Sequence, residues 1–350
     1  FLTIDWTRLD QTNPRQIHTH FYLKWLPSRI IISHGYHPTY EYEEYPDLTP
    51  DKLYERMDNL INFDMNWTLN MTFITAEGYA YKREYGGEPS GRLPTQLFQS
   101  YSTLFVIIHA LIAFGCTDEE IRDILLYIMG DDTTLLTLWQ LSKLHAFLEF
   151  LSPFAKQRWN MTISVEKSVI TMLRNKIQTL QYECNYGLPK RPIGKLLGQL
   201  IYPEHGMKTK YMSMRAIGIA QAACGIDETF HSLCHDVYKL YLDEADLSFE
   251  AYEKTFKWLL GSQSPEETAK THYMTEFPSI DYVRNMISYY HGPLSYEPKW
   301  NLKYFKFKPD YAPENYETMS MYRTRLGITP RSPMRLPDEL IVGNLTEQEL

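Results

Sequence analysis

Residues Leu125 to Leu136 form an apolar run that breaks at Gly130-Asp131-Asp132 and then resumes. Two apolar segments around a short polar turn predict a β-hairpin with adjacent carboxylates at its tip. Carboxylate oxygens suit a hard divalent cation such as Mg²⁺, which keeps several waters and is completed by substrate phosphates. A second pair of acids, Asp5 and Asp10, flanks a corner: Phe1-Leu2-Thr3-Ile4 reads as a strand, and Pro14 opens a helical pattern through Ile17, Phe21 and Trp25. Asp5 then ends the strand and Asp10 sits in the turn beyond it. Between these acids in the chain, Tyr85 to Gln96 holds three glycines and two prolines ahead of an apolar-periodic helix through Leu97, Tyr101, Leu104, Ile108 and Leu111. Such a loop lets its backbone approach a ligand closely. Taken singly, each of these features is also an ordinary turn, cap or loop. Their order along one chain, with sensible structure between them, is what gives them weight.

The elements that must position these residues follow from the remaining pattern. With 350 residues, 44% of them hydrophobic, the chain is long enough for one large or two moderate folded domains. A helix is predicted from Pro50 to Asn70 with Thr49 as its cap, followed by a hairpin between Met71 and Tyr81. Residues 29–48 read as irregular, and this whole region reads as an insertion between the acid-bearing segments. Beyond Pro203 the pattern is mainly helical, near 207–224, 227–243 and 248–260, and Trp300 to Lys308 interleaves aromatic and basic residues as an edge strand does. The longest apolar stretch, Leu104 to Gly115, falls short of the roughly 20 residues that cross a bilayer, so no membrane association is expected. The opening FLTIDW offers no signal peptide and reads as part of a longer protein. Four scattered cysteines point to a reducing compartment.

A net charge of −8 speaks against a protein that simply coats nucleic acid. It leaves room for an enzyme that handles nucleic acid through bound cations, because there the protein supplies the anions. Neither a Gly-x4-Gly-Lys-Ser/Thr phosphate loop nor a Gly-x-Ser-x-Gly nucleophile elbow is present. Cys224, His231, Cys234 and His235 lack the spacing of a common zinc finger and read as ordinary helix residues. Lys190, Arg191 and Lys195, then Lys208, Lys210 and Arg215, form two basic clusters that could meet phosphates or simply face solvent.

On its ordered motifs the chain resembles the right-handed RNA-dependent RNA polymerases, most closely those of partitiviruses. DWTRLD (5–10) resembles motif A, SGRLPTQ (90–96) motif B and GDD (130–132) motif C. The likeness extends through HGYHPTYEY (34–42), YPDLTPDKL (45–53), the block from Arg174 to Gly206 and YMSMRAIGIA (211–220). The resemblance implies an α+β fold: a palm, an antiparallel sheet with flanking helices built from strands around Asp5, Asp131 and Leu180, over 1–204, with a fingers-side insertion at about 33–84. A mainly helical thumb and C-terminal extension would occupy 205–350, and the basic N-terminal fingers would lie upstream.

The same resemblance assigns roles. Asp5 and Asp131 would hold two Mg²⁺ ions, with Mn²⁺ as the alternative, and Asp132 would support the second. Asp10, Ser90, Thr95 and Thr103 would sense the ribose 2′-hydroxyl, and Gly91 would let the loop move. Lys167 falls where motif D places a general acid, and Ile177 to Gln181 would be motif E. The family usually carries an acidic or amide residue at Gln99 and asparagine at Thr103, which is shorter here, so ribose discrimination is the property this departure touches. The implied partners are RNA template and product, nucleoside triphosphates and a viral capsid protein, in the virion interior and host cytoplasm. Two rivals remain: a captured, inactive copy that binds RNA or protein, and a Mg²⁺-dependent phosphohydrolase, which would need the acids but not the motif B loop.

Overall fold

A computed structural model of the chain describes residues 1–33, 49–82, 86–88, 94–185, 188–202, 208–252, 274–288 and 316–334. Two compact units emerge, Phe1–Ile170 with Glu297–Leu350, and Thr171–Tyr296. Ser90, Gly91, most of the segment 29–48, much of the helix expected at 248–260 and the strand expected at Trp300 to Lys308 lie outside the described residues.

The first unit begins with β1 (Leu2–Ile4) and β2 (Trp6–Thr7), then α1 (Leu9–Thr12) and α2 (Arg15–His20), which continues into a π turn over Phe21–Trp25. In α3 (Pro50–Asn70) the Thr49 side chain accepts from the Lys52 N–H and proline takes the first helical position, as the sequence predicts. The hairpin β3 (Thr72–Ile74) and β4 (Ala80–Lys82) follows, then α4 (Thr95–Phe114) and α5 (Asp118–Arg122). Next come β5 (Leu125–Met129), β6 (Asp132–Leu136), α6 (Leu141–Trp159), β7 (Thr162–Ile163) and β8 (Val169–Ile170).

The sheet that matters runs β5-β6-β1-β8, with antiparallel neighbours. Period-2 alternation sends Leu2 and Ile4 of β1 and Leu135 of β6 inward, against Val106, Ile107 and Leu111 of α4 and Leu144, Phe147 and Leu151 of α6. On the other face of β5, Leu125, Tyr127 and Met129 are exposed. The apolar run expected at Leu104 to Gly115 is part of a longer element: α4 has 20 residues, long and apolar enough by length and composition to cross a membrane. In this fold its inner face belongs to the core.

The second unit holds the sheet β9 (Gln178–Thr179), β10 (Tyr182–Asn185) and β11 (Leu188–Lys190), then α7 (Ile193–Ile201), α8 (Thr209–Ala222) and α9 (Glu228–Leu240). Its core gathers Leu196, Leu200, Ile217, Ala220, Phe230, Cys234 and Tyr238. The strand near Leu180 therefore departs from expectation and does not join the sheet of Asp5 and Asp131. Leu180 and Gln181 adopt φ values of 53° and 65°, and this two-residue turn pairs Thr179 with Tyr182 locally. The place beside β1 is taken by β8.

The division into compact units falls at Ile170, ahead of the residue 204 expected to end the palm. The chain leaves the first unit at Ile170 and its C-terminal part returns there. Within the first unit, the helix Met319–Leu326 is fixed by Arg323, which donates to Asp58 at 2.7 Å, to the Tyr54 hydroxyl at 2.9 Å and to the Leu23 carbonyl at 3.2 Å. A return of this kind joins residues more than 260 positions apart and leaves no periodicity in the sequence.

Candidate active site

The β1–β6 register pairs Leu2 with Leu135, Thr3 with Thr134 and Ile4 with Thr133. At the end of this ladder Asp5 directly follows Ile4 and Asp132 directly precedes Thr133, so the register directs the two acids to the same end of the sheet. Asp131 lies at the tip of the adjoining hairpin, because Met129 pairs with Asp132 and leaves Gly130-Asp131 as a two-residue turn. The motif spacing thus brings the three acids to one end of one sheet. Asp5 and Asp132 are half-buried and Asp131 is exposed.

Main-chain contacts hold these acids in place. Asp5 is gripped at both peptide groups: its N–H donates to the Ser168 hydroxyl at 3.2 Å and its carbonyl accepts from the Ser164 N–H at 2.9 Å. Ser168 also donates its hydroxyl proton to the Ser164 carbonyl at 2.8 Å, closing the turn between β7 and β8 on itself. Lys167 stands exposed on that turn, next to Ser168. The loop carrying the expected general acid is therefore tied to the backbone of an expected metal ligand.

Gly130 is held in the same way from α4. Its N–H donates to Ser100 Oγ at 2.8 Å, and its carbonyl accepts from Thr103 Oγ1 at 3.2 Å. Thr103 is wholly buried, and its hydroxyl is spent on this bond. The residue expected to contact the ribose thus donates its proton to the main chain of the hairpin turn. Gly130 has φ +67°, and the first central position of such a turn favours glycine.

Asp10 lies half-buried in the first turn of α1, and its carbonyl accepts from the Glu88 N–H. Asn13 accepts from the Gly87 N–H at 2.7 Å, and Asn13 also accepts the Ser102 hydroxyl. Residues 86–88, which lead toward Ser90 and Gly91, are thus fastened beside Asp10, while Thr95 begins α4. Gly86, one of the three glycines of this stretch, allows a close approach within the chain itself: a Cβ there would stand 2.6 Å from the Asn13 carbonyl oxygen.

Among the described residues, no three His, Cys, Asp or Glu side chains gather into a ready-made metal cage. Two or three hard oxygen donors at an open sheet end nonetheless fit Mg²⁺, which is commonly held by one or two carboxylates with substrate phosphates and water. Cys224, His231, Cys234 and His235 behave as helix and core residues: Cys234 is fully buried, and His231 bonds the Pro278 carbonyl at 3.1 Å. Sequence reasoning missed Ser100, Ser164 and Ser168. Their only signal is a hydroxyl at helical or turn spacing, which occurs throughout the chain.

No family model matches the chain. It is 37% identical over 323 residues to the RNA-directed RNA polymerase of Atkinsonella hypoxylon virus (isolate 2H), covering 85% of this chain and 48% of that protein. Its relatives are viral RNA-directed RNA polymerases. A second such polymerase, from White clover cryptic virus 1 (isolate Boccardo/2004), is 26% identical over 307 residues, covering 85% of this chain and 47% of that one. The chain spans about half the length of the curated polymerases it matches. Among solved structures it resembles the RNA-dependent RNA polymerase of a human picobirnavirus, with a TM-score of 0.43, 12% identity, and coverage of 81% of this chain and 46% of that one.

Proposed function

We propose that this chain carries the catalytic centre of a viral RNA-directed RNA polymerase, which joins nucleoside triphosphates to an RNA 3′-hydroxyl under the direction of an RNA template. The observation that carries this reading is the β1–β6 register, which brings Asp5 and Asp132 to one end of the sheet with Asp131 at the turn, in a chain 37% identical to such a polymerase. The first unit then corresponds to the palm, with α3 and its hairpin as the fingers-side insertion, and the second to the base of the thumb. Asp5 and Asp131 would hold Mg²⁺, or Mn²⁺ in its place, with Asp132 beside them. Bound there, the ions would acidify the attacking hydroxyl and neutralise the triphosphate.

The protein's own contribution is placement and proton transfer. Asp5 and Asp131 would fix where the reacting phosphate sits, each through a peptide group held by its neighbours. Lys167, exposed on the turn bonded to Asp5, would give a proton to the departing pyrophosphate. Asp10 and Thr95, with Ser90 and Gly91 on the intervening loop, would form the ribose-facing side of the nucleotide site. Viral RNA, nucleoside triphosphates and, in the particle, a capsid protein are the proposed partners, with the virion interior and host cytoplasm as the place of action.

Primer extension by the intact protein that contains this chain tests the proposal. Asp131→Ala should lower template-dependent incorporation by about 10³-fold, because it removes a ligand of the cation that would neutralise negative charge in the transition state. Unchanged extension would refute the assignment, and pyrophosphate release without template would point instead to a phosphohydrolase.

A further inference from the structure

We infer that Ser100 and Thr103 act as a two-point clamp that sets the catalytic orientation of Asp131, so that the helix following the motif B loop controls the motif C turn through hydrogen bonds to Gly130. A two-residue hairpin leaves the peptide groups at its tip outside the strand ladder. Here both main-chain groups of Gly130 find partners on α4, three residues apart and so on one helical face.

The two hydroxyls have opposite duties. Ser100 Oγ already donates its proton to the Gln96 carbonyl at 2.7 Å, so it accepts from the Gly130 N–H through a lone pair. Thr103 Oγ1 is the donor, and the carbonyl it binds belongs to the peptide unit that supplies the Asp131 nitrogen. Fixing that plane fixes the direction from which the Asp131 side chain leaves the backbone. Neighbouring positions of α4 extend the coupling: Ser102 donates to Asn13, and Asn13 accepts from the Gly87 N–H ahead of the motif B loop. One turn of α4 thereby links the segment beside Asp10 to the tip that carries Asp131.

Only the effect on catalysis rests on the polymerase reading; the clamp itself is read from contacts. In the intact protein, Thr103→Val should lower kcat for single-nucleotide addition about 10- to 100-fold, the cost of misplacing a reacting group by about an ångström. The KM for the nucleoside triphosphate should stay within about twofold, and Thr103→Ser should recover most of the loss. If Thr103→Val instead changes the preference for ribo- over deoxynucleotides while kcat with ribonucleotides holds, Thr103 is a ribose contact and the clamp is wrong.

Amide hydrogen exchange supplies a readout independent of activity. Ser100→Ala should speed exchange at Gly130 by about tenfold or more, with the flanking β5 and β6 amides unchanged. An unchanged Gly130 rate overturns the clamp even in an active enzyme. A faster rate in a protein whose wild type adds no nucleotides upholds the clamp and rejects the polymerase reading. Should Thr103→Val fail to fold, Ser100→Ala and Thr103→Ser decide the matter.

Discussion

Asp5 shows how little of a side chain's placement is its own doing. Its two peptide groups are bonded by Ser168 and Ser164, and removing the Ser168 hydroxyl leaves the Asp5 N–H without its acceptor. Ser168→Ala should therefore destabilise the protein by about 1–3 kcal/mol and slow nucleotide addition, while Ser168→Thr, which keeps the oxygen, should preserve both; melting and extension assays check this. Gly86 is as exacting for a steric reason. Its would-be Cβ meets a main-chain oxygen at 2.6 Å rather than the flexible end of a side chain, so Gly86→Ala should cost about 1–3 kcal/mol in denaturant titration. Burial pushes the Cys234 thiol and the Tyr101 phenol each up to about 12. The folded chain then keeps protons that the unfolded chain releases above about pH 9 for cysteine and 10 for tyrosine. Both contributions are complete below those values and are lost as pH rises towards 12, so stability should fall across that window. Titrating Cys234 with a thiol reagent at pH 8 should give no reaction until the protein unfolds.

At the scale of elements, α4 does the joining. Its inner residues Val106, Ile107 and Leu111 serve the core, while Ser100, Ser102 and Thr103 serve the hairpin tip and the segment after Asp10. That division explains how an apolar helix 20 residues long becomes part of a site. The second joining element is the helix Met319–Leu326, held to α3 by the Arg323–Asp58 pair with side chains 7% and 10% exposed. Asn62 also donates to Asp58, at 3.0 Å, and Tyr54 and Tyr322 stack with centroids 4.5 Å apart. Asp58→Ala leaves a buried guanidinium uncompensated and should cost about 3–5 kcal/mol, read as a lower melting temperature of the first unit.

Over the whole molecule, a net charge of −8 coexists with exposed cations in the second unit. Lys190, Lys195 and Lys208 are exposed, whereas Arg215 donates twice to the Gln199 carbonyl and Arg191 bonds Gln181. If the lysines meet phosphate, Lys195→Gln and Lys208→Gln should each weaken RNA binding and reduce the slope of log affinity against log salt by about one, while Arg215→Ala should act mainly on stability. Salt-dependent RNA binding by the variants distinguishes these roles. Local features were legible without coordinates: the strand before Asp5, the capped helix Pro50–Asn70, the hairpin at Gly130-Asp131 and the order of the acids all follow from near-neighbour sterics, capping and alternation. Tertiary structure alone decided that Asp5 and Asp132 share one end of a sheet, that Thr103 faces inward to hold a turn, that Leu180 closes a separate hairpin, and that Arg323 returns to Asp58. The physical reason is that a register or a buried hydrogen bond depends on which partner arrives across long stretches of chain, and that choice leaves no periodic mark at either residue.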